Sequence, residues 1–132
     1  MKARTNRRKR GCWRLAVVAL VWWATPGHAR IVDIEWDGGG RFERRMDVAP
    51  GRFAEVCGRL AAGNVVRWSF EAAASLDFNI HFHEGSKARY PAREDGARAL
   101  SGVLPVDADR DYCWMWTNKS PAPVSLVINL AR

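Results

Sequence analysis

The stretch Asn64–Gly85, NVVRWSFEAAASLDFNIHFHEG, sets the dominant period of the chain at two. Val66, Trp68 and Phe70 fall on one side of it, while Arg67, Ser69 and Glu71 fall on the other. After the small residues AAAS the alternation resumes, with Phe78, Ile80 and Phe82 opposed to Asp77, Asn79, His81 and His83. Successive side chains of a β-strand leave opposite faces, so this pattern predicts two half-buried strands, NVVRWSFEA and LDFNIHFHE, each with one wet face.

The same signature recurs in PVSLVINLA, with Val124, Leu126, Ile128 and Leu130 on one side. IVDIEW and RFERRMDV are expected as early strands, and the aromatic-rich RDYCWMWTN as a strand near the middle of the fold. GRFAEVCGRL fits either a strand or a short helix. YPAREDGARA reads as a long exposed loop leading into a strand at LSGVLPV. Turn signals separate the runs: DGGG at 37–40, APG at 49–51, AAGN at 61–64, EGSK at 84–87 and SPAP at 120–123. Short strands at this spacing predict an all-β fold, an antiparallel β-sandwich or jelly roll of about seven to eight strands. Trp68, Trp114 and Trp116 with Phe70, Phe78 and Phe82 are expected to supply most of its core.

The N-terminus follows a different logic. MKARTNRRKRGCWR is basic, LAVVALVWWA is apolar, and TPGHA ends in a small residue with Gly27 two positions earlier. That order predicts a secretory signal at 1–29, cleaved after Ala29, followed by one domain at 30–132. The apolar run falls short of the roughly twenty residues that span a bilayer. No run of that length follows it, so no membrane span is expected in the mature chain. The expected location is periplasmic or secreted.

Removing the leader changes the charge. The whole chain carries a formal +7, but residues 1–29 hold seven Lys/Arg and no acid. The remainder has 14 of each sign and is neutral on balance. Binding to nucleic acid needs a basic patch on the folded domain, and this balance gives no reason to expect one. Two cysteines remain, Cys57 and Cys113. In an oxidising compartment an even pair predicts a disulfide; the alternative is two reduced, buried thiols.

His81 and His83, at i and i+2 of a strand, leave the same face. Neutral imidazoles side by side suit copper or zinc. Two protein ligands make a weak site, since catalytic zinc takes three and structural zinc four. A third ligand would be a carboxylate, a thiolate or a methionine such as Met46 or Met115. A tetrahedral group of Cys57, Cys113, His81 and His83 has suitable residue types, but lacks C-x-x-C spacing and is removed by oxidation. The H-x-H strand of cupins is followed by a Glu four or five residues on; Lys87 and Ala88 stand there instead. A polar sheet face that carries two histidines, turned to water, is the favoured reading. No Ser–His–acid set, G-x-S-x-G or phosphate loop is present, and Asp107, Asp109 and Asp111 read as a solvated turn. Asn118-Lys119-Ser120 fits a glycosylation sequon weakened by Pro121.

The segments VCGRLAAGNVVRWSFEAAASLDFNIHFHEG and DRDYCWMWTNKSPAPVSLVINLA resemble the GOLD domain, in an exported bacterial form. The likeness spans roughly 53–131 and lies in W-x-F, DFNIHF and Y-C-W-x-W-x-N-x-S, with Cys113, Trp116, Asn118 and Ser120 matching the stretch near the family's end. It implies a β-sandwich, a pairing of Cys57 with Cys113, and a protein-interaction or ligand-binding module with no catalytic residue to carry over. The function expected is therefore a non-enzymatic exported binding module, its partner a protein or cell-envelope component. No cofactor is expected. The alternative is a periplasmic copper- or zinc-binding protein that uses His81 and His83.

Overall fold

The computed structural model describes residues 30–132; the expected signal segment, 1–29, lies outside the described residues. Seven strands form the domain: β1 (Arg30–Asp33), β2 (Arg41–Val48), β3 (Phe53–Leu60), β4 (Val65–Glu84), β5 (Lys87–Pro105), β6 (Arg110–Thr117) and β7 (Val124–Ala131). They hydrogen-bond in the order β1-β3-β6-β4-β7-β2, with β5 also on β4. The all-β sandwich expected from the alternation is present.

The decisive stretch is one strand rather than two. Its first half, Arg67–Ala72, pairs with β7, and its second half, Asp77–His81, pairs with β6. β4 therefore belongs to both layers and carries the chain from one to the other. The crossing falls at Ala72-Ala73-Ala74-Ser75, where the pairing with β5 slips between Glu71 and Leu76. Side chains this small allow the strand to bend without clashes at the corner.

β5 runs beside β4 through this bend, so the expected loop at YPAREDGARA is strand instead. It looked like a loop because, among the described strands, β5 pairs with β4 alone and is exposed along most of its length. An edge strand with charges, a proline and a bulge resists pairing with other chains. The bulge sits at Gly96, whose φ of 73° is open to glycine at no steric cost. Its N–H donates to Asp77 Oδ1 at 3.0 Å.

One open alternative is resolved and one detail is added. GRFAEVCGRL resolves into the strand β3. The sandwich is not wholly antiparallel, because β1 runs parallel to β3. The chain between them passes through β2 in the opposite layer, which is the crossover that parallel neighbours need.

The core lies between the layers. Trp68, Phe70, Phe78 and Trp116 form a ring cluster with centroids 4.9–5.6 Å apart. Tyr112, Trp114 and Trp116 alternate with Cys113 and Met115, so β6 turns its aromatics inward and its sulfurs outward. Each such aromatic pair adds about 0.5–1.5 kcal/mol beyond the area it buries. Asn118 is fully buried; its side-chain N–H groups donate to the carbonyls of Val48 and Ala122, and its side-chain oxygen accepts from Ser120 N–H. The sequon asparagine thus ties the β6–β7 turn to the end of β2.

Candidate functional site

The inward alternation of β3, β6 and β4 fixes what their other face presents. Register places Cys57 opposite Cys113 and Cys113 opposite His81, one row across three strands. The next row is Glu55, Met115 and Asn79, followed by Phe53, Thr117 and Asp77. Cys57 and Cys113 are bonded, with S–S 2.10 Å, and clamp β3 to β6 in the middle of this face.

The two histidines do not face water alike, contrary to expectation. His81 is 8 % exposed, whereas His83 beside it is open. The difference arises from neighbours on other strands: Tyr90 of β5 stands 6.1 Å from the His81 ring, and Glu55 of β3 approaches from the opposite side. His81 Nδ1 lies 2.9 Å from Asn79 Oδ1, and Nε2 lies 3.8 Å from Glu55 Oε1. The His81 and His83 rings meet edge to face, centroids 5.4 Å apart.

Burial sets the electrostatics. It pushes the Glu55 carboxyl above the usual carboxylate range, with His83 partly offsetting the rise. It lowers His81 below the usual imidazole value, and the neighbouring charge of His83 lowers it further. A depressed imidazole favours the neutral ring, the form that ligates metals.

The other candidates disperse. Donor atoms of Glu55, His81 and Cys113 lie within 4.8 Å of one another, but the disulfide consumes the thiolates, so the Cys57–Cys113–His81–His83 group is not assembled. Met115 shares the outer face, next to Asn79; Met46 is buried in the core. Glu84, which follows the histidines in sequence, turns instead to Arg89 at 2.9 Å and Arg110 at 3.1 Å. Asp77 pairs with Lys119. Asp109 accepts Ala62 N–H at 2.7 Å and Asp107 accepts the Tyr112 hydroxyl at 3.0 Å, so these two acids hold turns rather than converge.

Around His81 the face carries Tyr90, 52 % exposed, with the Arg93 guanidinium 6.0 Å from its ring centroid. A hollow of about 240 Å³ runs from Asn79 and Tyr90 past Met115 to Lys119. The outer face of the other layer has an open groove of about 650 Å³ among Arg41, Glu43, Arg67, Ser69 and Asn129.

Glu55 and Tyr90 escaped the sequence reading. Glu55 shares a face with Cys57 once FAEVCGRL is a strand, so that period-two signal was available but undecided against a helix. Tyr90 carried no such signal, because its segment reads as a loop.

No family model matches the chain, and no curated protein matches it in sequence. Solved structures do resemble it. PliG of Aeromonas hydrophila, a periplasmic inhibitor of g-type lysozyme, superposes with a TM-score of 0.57 at 17 % identity, covering 78 % of this chain and 96 % of its own. PliG of Salmonella Typhimurium gives 0.52 at 12 % identity, over 79 % and 98 %. The pre-peptidase C-terminal domain of a Bacillus anthracis collagenase gives 0.58 at 8 % identity, over 80 % and 97 %. The shared property is the fold.

Proposed function

We propose that this chain is an exported, non-enzymatic module that binds another protein through the outer face of the β3–β6–β4–β5 layer. The observation that carries the reading is the half-exposed Tyr90, grouped with Arg93 and Met115 along one hollow of a face whose strands β3 and β6 the Cys57–Cys113 bond clamps together. Tyr, Arg and Met are the residues enriched where proteins bind one another, and rigid strands reduce the entropy lost on docking. The PliG inhibitors, which share the fold, are named for a protein partner. The GOLD resemblance implies an interaction module as well. Export to the periplasm or beyond is supported by the basic–apolar–small order of residues 1–29 and by the disulfide.

The test is a photo-crosslinking residue at position 90 in the producing cell, with position 103, exposed on the other layer, as control. A discrete protein adduct at 90 and none at 103 supports the reading; equal labelling, or none at either, refutes it. Titration against g-type lysozyme then asks whether the partner is the one named for PliG.

A further inference from the structure

The pairing of His81 with Asn79 and Glu55 has a chemical consequence apart from protein binding. Asn79 Oδ1 accepts only, so its 2.9 Å contact with His81 Nδ1 is a hydrogen bond when Nδ1 carries the proton. In the neutral ring Nε2 is then a bare lone pair, and it faces a carboxylate oxygen 3.8 Å away. Two electron-rich atoms across so small a gap repel unless a proton or a metal cation lies between them. Two donors on one tetrahedral ion with bonds of about 2.0–2.1 Å sit about 3.3 Å apart, so a contraction of about half an ångström closes this pair on a metal.

His83 supplies the third position. Two imidazoles on one such ion hold their ring centroids about 5 Å apart, and those of His81 and His83 are 5.4 Å apart. The exposed His83 completes the set by turning a ring nitrogen toward the gap; as the structure stands, it lies outside the close group of donors. The Nδ1–H···O=C bond to Asn79 is the outer contact that orients ligating histidines. We propose that Glu55, His81 and His83 form a binding site for a divalent zinc-like cation, Zn²⁺ or Cu²⁺, with Asn79 as positioning residue and the disulfide intact. Two imidazoles and a carboxylate are a three-ligand zinc set with the fourth position open to water or to a partner's side chain. Neither cysteine is a ligand, which separates this site from the four-residue group considered in the sequence.

The experiment is calorimetric titration of Zn²⁺, and separately Cu²⁺, into the full chain with its disulfide intact. One ion per chain is expected. Glu55→Gln, which keeps the shape and removes the charge, is expected to abolish binding, as is His83→Ala at an exposed position that leaves the fold undisturbed. Asn79→Ala is expected to weaken binding by about 10–100-fold. Nitrogen-15 spectra of the metal-free protein should show the Nδ1–H tautomer of His81, with its Nε2 resonance shifting on saturation with zinc. No binding of either ion, binding that survives Glu55→Gln unchanged, binding only after reduction of the disulfide, or the Nε2–H tautomer overturns the proposal.

Discussion

Gly102 on β5 lies under the Trp68 indole, and Gly102→Ala tests whether the core is packed as described. A Cβ at position 102 would stand 2.6 Å from Trp68 Cζ2 and 2.9 Å from Cε2. Carbon atoms prefer about 3.5–4.0 Å, so one partner must move by about 1 Å. Trp68 has little room to yield, because its ring packs against Phe78 at a centroid distance of 5.0 Å. Overpacking of this kind costs about 1–3 kcal/mol. Gly102 does not have positive φ, so alanine strains no backbone there and reduces unfolded-state entropy, a gain of about 0.4–1 kcal/mol. The net expectation is a loss of about 1–2 kcal/mol, read by urea unfolding, and about 4–8 °C in Tm per kcal/mol. Trp68→Phe removes the clashing indole and also a buried indole N–H that has no partner among the described residues. In that background Gly102→Ala should be neutral or stabilising, a coupling that the double-mutant cycle isolates. An equal penalty in both backgrounds, or none in the wild type, would refute the packing argument.

Three other outcomes follow from the same geometry. Cys57→Ala with Cys113→Ala opens a link between residues 56 apart; chain entropy puts the loss near 4 kcal/mol, measurable as a lower urea midpoint against the oxidised protein. Asn118→Ala removes the hydrogen bonds to the buried Val48 carbonyl, to Ser120 N–H and to the Ala122 carbonyl, which keeps the Ser120 hydroxyl at 2.9 Å. Unmet buried groups cost about 1–3 kcal/mol each, and water reaching the turn limits the total to about 2–4 kcal/mol in the same assay. Asp77 is held below the usual carboxylate range above all by Lys119; burial opposes this, and Gly96 N–H adds a smaller lowering. Its folded value is depressed, so its stabilisation is present above the unfolded pKa of 3.8 and is lost as pH falls through the folded value. Asp77→Asn should therefore lower stability at pH 7 and converge with wild type at strongly acidic pH; a constant difference across that range would contradict the assignment.

Period-two alternation in NVVRWSFEA, LDFNIHFHE and PVSLVINLA determined the all-β class, because each pattern buries one face of a strand wherever that strand pairs. The same local rule put Trp68, Phe70, Phe78 and Trp116 in the core and both histidines on the opposite side of their strand. Local pattern does not specify the strand beside it. Whether AAAS ends a strand or bends one depends on β6 and β7 pairing with opposite halves of β4, and the polar β5 takes its form from the single edge it occupies. The residues that separate His81 from His83 lie 26 positions before and nine after His81 in the chain. Glu55 and Tyr90 meet the ring only because β3 and β5 flank it across the folded layer. Sequence assigned the imidazoles a face; tertiary packing chose which one is buried and what its bare nitrogen confronts, since both depend on contacts between strands remote in the chain.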